Sequence, residues 1–438
     1  MRPKARVEAP ATGVADSAGA LVAAAWNSGW LFADRLLRLA VGLVLGVLIA
    51  RQLGPHDFGS LSYATAFVSL FTALAALGLD PVVVRELATT PDSRHSVLGT
   101  ALILKLVGAL LAYAGVLIAI AHMPKIDPAT GILVAIVGSG LVLHVLDALD
   151  LWFQAQSRSR STVIARGIAF VVASALKVSF LLSDAGLLAF AWASVCELAL
   201  GALALVVAYR VAGERLHALR PTCILARRLL HESWPLAISG LLVLVTMQAD
   251  RILLGHLASV REVGVYGVAG QFSMVWYMVP MIVGTSIAPA LARARLSDAA
   301  VYAAILRRVY TLMTVVSVAV ACMVSLLATP LIDLLFGHAY AGAAPVLALH
   351  VWGAVFVFHV SIRTRALVVE HRQRLVTAMA AMTCLVSIAL NLVLIPRFGA
   401  LGAAYASVIA WSCCAVVFPL GWSDTRKSVV MFLTPFKR

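Results

Sequence analysis

The sequence predicts an all-α integral membrane fold, with about 12 transmembrane helices in two parallel six-helix repeats around a central cavity. Three observations predict it. Apolar runs of about 18–25 residues, each long enough to cross the hydrocarbon core as a helix, follow one another from Trp26 to Trp422. The 438 residues are 62% hydrophobic and only 12% charged, about half the charge of a soluble domain. The two halves of the chain resemble each other in register. The runs are continuously apolar rather than alternating, so the backbone satisfies its hydrogen bonds within helices and not in a barrel.

Taken in order, residues 1–25 begin basic, turn Ala-rich and lack an apolar core of their own, which predicts a cytoplasmic N-terminal tail. The first six spans are expected near 27–50, 60–80, 97–121, 130–153, 163–183 and 187–209, within a bundle over 26–209. Gly54-Pro55 and Gly59 fit a tight turn between the first two, since Pro presets φ and Gly supplies freedom. The stretch 210–234, with five Arg, reads as a basic cytoplasmic linker. Six further spans are expected near 235–255, 264–289, 310–329, 344–362, 375–395 and 401–422, a second bundle over 235–422 followed by a cytoplasmic tail at 423–438.

Lys and Arg divide unevenly between the two ends of these spans, about 27 against 5, with Lys105 and Lys177 left inside. The positive-inside rule then places both termini in the cytoplasm, as an even number of spans also requires. Anionic lipid head groups account for the net charge of +14, because the basic residues are scattered over many short loops and form no patch for nucleic acid. The six cysteines have no metal-ligand spacing and read as small core hydrophobes. No metal site and no cofactor is expected, and no Gly-rich phosphate loop occurs.

The repeat shows at both ends of the halves. Gly186-Leu-Leu-Ala-Phe-Ala-Trp-Ala-Ser-Val195 matches Gly399-Ala-Leu-Gly-Ala-Ala-Tyr-Ala-Ser-Val408, and each opens a sixth span. Phe58-Gly59, leading to Ala64 and Phe67, matches Val263-Gly264, leading to Ala269 and Phe272. Repeats of six spans share one orientation, so they are related by an axis near the membrane normal, a plan in which transporters place substrate between the repeats.

Four stretches carry a family resemblance: Ile49-Ala-Arg-Gln-Leu-Gly-Pro-His-Asp-Phe-Gly59, Leu77-Gly-Leu-Asp80 followed by Val84-Arg-Glu86, Asp250-Arg-Ile-Leu-Leu-Gly255, and Asn391-Leu-Val-Leu-Ile-Pro-Arg-Phe-Gly-Ala-Leu-Gly-Ala-Ala404. Together they resemble the polysaccharide-biosynthesis flippases (Wzx type) of the multidrug/oligosaccharidyl-lipid/polysaccharide exporter superfamily. The resemblance implies movement of an undecaprenyl-diphosphate-linked oligosaccharide to the outer leaflet of the inner membrane, by alternating access and without covalent chemistry. It also implies pathway partners such as a polymerase and glycosyltransferases.

Charges inside spans are expensive and mark function by default. Arg35 and Arg38 share a helix face one turn apart, with Asp34 beside them, and guanidinium groups take phosphate oxygens bidentately. With Lys105, Lys177 and Arg251 they are the expected diphosphate ligands. Asp147 and Asp150, in a three-residue stripe with His144, and Glu197 are candidates for ion coupling. An ion-coupled multidrug or cation antiporter of the same superfamily is the alternative, disfavoured by the basic lean of these mid-span charges. A membrane enzyme is disfavoured because no outer loop is long enough to hold catalytic groups.

Overall fold

The computed structural model describes residues 13–123, 127–156, 158–370 and 372–433, and among them every regular element is helical. The helices are α1 (Gly13–Ala76), α2 (Asp80–Thr89), α3 (Arg94–Ala121), α4 (Pro128–Leu143), α5 (Ala148–Ala155), α6 (Ser159–Leu182) and α7 (Leu187–Val211) in the first half. The second half contains α8 (Cys223–Leu257), α9 (Val260–Ser297), α10 (Ala299–Phe336), α11 (Ala343–His350), α12 (Trp352–Val369), α13 (Gln373–Ser412), the short α14 (Phe418–Leu420) and α15 (Ser423–Leu433).

Ten described stretches are long and apolar enough to cross a membrane. Two of them fold back on themselves, which yields the twelve expected crossings. α1 turns at Gly54, whose φ of 72° favours a residue without Cβ, and Pro55 then starts the return helix with φ already helical. α13 turns at Gly399, φ 55°, just after Pro396. There the carboxylate of Glu262 accepts from the Ala400 amide at 2.7 Å, placing negative charge at the N-terminus of the returning helix. Large apolar side chains such as Leu111, Leu182, Leu326 and Leu385 face outward, as a multi-pass membrane protein solvated by lipid requires.

The two bundles meet closest between α1 and α9, at the end of the molecule poor in arginine. A Cβ on Gly59 would lie 2.0 Å from the Val260 carbonyl oxygen, and a Cβ on Gly264 would lie 2.0 Å from the Pro55 carbonyl oxygen. Pro55 and Gly59 stand to Val260 and Gly264 as one repeat to the other, so the contact is reciprocal, as a two-fold axis through it demands. Further contacts close the same end. The Tyr340 hydroxyl donates to the Ala50 carbonyl at 2.9 Å, and the Tyr63 hydroxyl lies 3.0 Å from His256 Nε2.

At the arginine-rich end the stretch between the bundles is hydrogen-bonded to the first. The Arg220 amide donates to the His95 carbonyl and the Thr222 amide to Thr100 Oγ1. α8 begins at Cys223, well before the apolar run it continues into, and Arg228 and Glu232 on its first turns pair with Glu86 and Arg85 of α2. Within the expected tail at 423–438, α15 packs back on the second bundle, with Val429 buried and the Phe432 ring 4.0 Å from that of His359.

Candidate functional site

The first bundle holds a seam of charge, in which Lys105 and Asp150 are buried. α4 ends at Leu143 and a tight turn, His144–Asp147, intervenes before α5, so the expected stripe of His144, Asp147 and Asp150 is not one continuous α-helical face. The turn brings His144 Nδ1 to 2.8 Å from Asp147 Oδ2. Arg166 of α6 reaches across with Nη2 2.7 Å from Asp147 Oδ1 and 3.4 Å from Asp150 Oδ2. Gln154 donates to the same Asp150 oxygen at 3.0 Å.

Two cavities share His144 and Asp147 as a common wall. The larger, about 190 Å3, is also lined by Arg38, Arg166, Phe170 and Glu197. The smaller, about 110 Å3, is lined by Thr72, Asp80 and Lys105. Lys105, buried on α3, has its Nζ 2.6 Å from Asp80 Oδ1. Asp80 starts α2 after a turn in which Leu77 and Gly78 both have positive φ. A Cβ on Gly78 would meet the Ala237 amide at 2.4 Å, so glycine there lets α8 of the second bundle touch this turn. Lys177 Nζ lies 2.6 Å from Glu197 Oε2, and the Arg38 guanidinium sits over the Phe170 ring, 4.9 Å from its centre.

The structure thus gathers Arg38, Lys105, Lys177, Asp147, Asp150 and Glu197 within one bundle. Beside the basic lean expected of the mid-span charges, the described residues of the seam set four acidic side chains (Asp80, Asp147, Asp150, Glu197) among four basic ones (Arg38, Lys105, Arg166, Lys177). Lys105 and Lys177 are therefore offered to a ligand only in competition with Asp80 and Glu197. The Arg35 side chain lies outside the described residues. Arg166 and Asp80 were missed as members: Arg166 opens a span and looks like a loop cation, and Asp80 closes a motif that reads as architecture.

Arg251 belongs elsewhere. It lies in the second bundle beside a separate buried cluster, with Nη1 3.4 Å from Gln248 Oε1. Its neighbour Asp250, 5% exposed, accepts from the Tyr266 hydroxyl and from Asn391 Nδ2, each at 2.6 Å. Those bonds tie α8 to α9 and α13. Replacing Asp250 by alanine strands two buried donors, and stability should fall by about 2–4 kcal/mol. Asp250→Asn should cost much less, because Asn391 can turn its unpaired Oδ1 toward the new amide. Thermal unfolding in detergent checks this, and equal losses for both variants would refute it. Among the described residues no three His, Cys, Asp or Glu side chains assemble as a metal ion would require.

Two repeated bundles of apolar helices meeting in a reciprocal contact, with a charged seam in the first, define a multi-pass membrane protein. The chain belongs to the polysaccharide biosynthesis protein family, whose model matches residues 25–295. The fold is similar to that of the lipid II flippase MurJ in an inward closed conformation, with a TM-score of 0.72 and 14% identity over 92% of this chain and 90% of that one. It is also similar to an inward-facing multidrug resistance MATE family transporter, with a TM-score of 0.71 and 12% identity over 91% and 96% of the two chains. A MOP superfamily transporter from Pyrococcus furiosus scores 0.63 at 12% identity, over 92% and 94%. No curated protein sequence matches the chain.

Proposed function

We propose that the protein is a flippase, not an enzyme, that carries an undecaprenyl-diphosphate-linked oligosaccharide from the cytoplasmic to the outer leaflet of the inner membrane. Family membership supports the substrate class. The orientation, with both termini cytoplasmic, is supported by the concentration of Lys and Arg at one end of the spans. The observation that carries the reading is the seam of the first bundle, where charge is held inside an apolar bundle next to cavities. Such groups are retained in spans chiefly for work on charged cargo.

Arg38 and Arg166 flank the larger cavity. A diphosphate entering it would replace Asp147 and Asp150 as partner of Arg166, with guanidinium geometry suited to paired phosphate oxygens. The released carboxylates would be free to take up a proton or cation, which links cargo to coupling in one place. The lipid tail would remain in the bilayer while the bundles rock, parting and closing at the contact of Gly59 with Gly264. A polymerase and glycosyltransferases of the same pathway would be its partners.

The experiment is leaflet transfer of the lipid-linked oligosaccharide by purified protein in liposomes, with a cationic-dye efflux control. Wild-type transfer that Arg38→Ala loses, with insertion intact, is the expected result. Because the described residues of the seam include as many acidic as basic side chains, a cation antiporter is the second reading. Dye efflux without lipid transfer would establish it instead.

A further inference from the structure

The second bundle holds a cavity of about 320 Å3 at its arginine-rich end, remote in sequence from the seam. Arg295, Tyr302, Arg363, Glu370, Arg372 and Ser428 line it. Three guanidinium groups therefore face one carboxylate. That carboxylate is engaged, since Glu370 accepts from the Tyr302 hydroxyl at 2.9 Å. The Arg295 guanidinium rests over the ring of the same tyrosine, 5.4 Å from its centre.

Arg363 is the unusual member. It is 2% exposed, yet its hydrogen-bond partners are all neutral: Nε donates to Ser428 Oγ at 2.9 Å, Nη1 to the Cys414 carbonyl at 3.0 Å and Nη2 to the Ala415 carbonyl at 2.7 Å. The sequence explains why those carbonyls are available. Pro419 has no N–H to return to the preceding turn, and the chain takes a wider helical turn over Cys413–Val417. Arg363 fills that gap and pins α12 to the end of α13 and to α15. Its charge, however, has no carboxylate within ion-pair distance among the described residues. Buried charge is normally paired, because desolvation without a counter-ion is costly.

We propose that this cavity binds the phosphate group of an anionic lipid head group, with α15 as one wall. This site would be separate from the path of the transported substrate. The cavity is roughly ten water volumes in size, enough for a phosphate with part of its glycerol. It lies where α9 and α10 meet and α12 ends, the level at which head groups of the arginine-rich leaflet would sit. A phosphate there would bring negative charge to Arg363, within reach of Arg295 and Arg372 in the same lining, and would hold α15 against the bundle through Ser428. The chemistry recognises phosphate as such, so free phosphate is the competing source.

The test uses the full-length protein in phosphatidylcholine nanodiscs with and without phosphatidylglycerol, read by native mass spectrometry and thermal unfolding. Inorganic phosphate in phosphatidylcholine alone is the second arm. Arg295→Gln with Arg372→Gln is the variant, chosen because both side chains are exposed at the rim and neither joins the neutral contacts of Arg363. The wild type should retain phosphatidylglycerol and unfold at higher temperature with it, and the variant should bind about tenfold more weakly. Stabilisation by inorganic phosphate equal to that by lipid, lost in the variant, would retain the phosphate site but reassign its source. Equal retention of lipid by variant and wild type, or no response to either anion, would overturn the proposal.

Discussion

Gly59→Leu should hold the molecule open at its arginine-poor end. A Cβ at this position lies 2.0 Å from the Val260 carbonyl oxygen and 2.9 Å from the Gly264 amide nitrogen. Both are backbone atoms of α9, so no rotamer change relieves the overlap; the bundles must separate. Overpacking in a tight contact costs about 1–3 kcal/mol, and at the upper end that moves a two-state equilibrium roughly 150-fold. Cross-linking of Tyr63→Cys to His256→Cys by a short bifunctional thiol reagent in a cysteine-free background reports the closed end, because the native side chains at these positions span it and meet at 3.0 Å. Cross-linking should be strong with Gly59 and weak with leucine, and transport should fall with it. Unchanged cross-linking with leucine would mean that α9 yields locally and that the glycine pair is not the point where the bundles close. Gly264→Leu should behave alike, since its Cβ meets the Pro55 carbonyl at the same distance.

The second large effect is expected at the hub of the seam. Asp147→Asn and Arg166→Gln should each lower lipid transfer by at least about tenfold, some 1.4 kcal/mol in the rate-limiting step. Their stability cost should be modest, about 1 kcal/mol, because both side chains are more than a third exposed to the cavity and screened there. Exchanging the two residues should not restore transfer. An aspartate at 166 would face Asp150, which now lies 3.4 Å from the Arg166 guanidinium. By contrast, Lys177 and Glu197 face each other as a pair at 2.6 Å, so Lys177→Glu with Glu197→Lys should recover the folding lost in either single variant. Full transfer by Asp147→Asn would reduce the hub to a structural brace.

Much of the architecture could be read before any helix was placed in space. The turn at Gly54 was visible as Gly-Pro punctuation, and the match of Phe58-Gly59 with Val263-Gly264 exposed the repeat. That these two glycines touch each other was not visible, since a repeat specifies equivalence and not contact. The seam was half legible. Lys105, Lys177, Asp147, Asp150 and Glu197 stood out as charges within apolar runs, whereas Arg166 sat near the start of its run and resembled an anchor. Arg363, near the end of α12, was hidden for the same reason: distance from a span's end does not reveal whether a long side chain turns outward to water or inward to orphaned carbonyls.

Sequence alone determined that this protein lives in a membrane, how many times it crosses, where it turns and that its halves repeat. A bilayer imposes these features locally, because each run must be apolar and must satisfy its own backbone. Only the tertiary structure decided which charge neutralises which. Asp250 finds Asn391 across 141 positions of sequence, and Lys105 finds Asp80 across the turn that α2 begins. Electrostatic pairing acts over a few ångströms between helices, so the partner of a buried charge is set by how the helices pack and not by its neighbours along the chain.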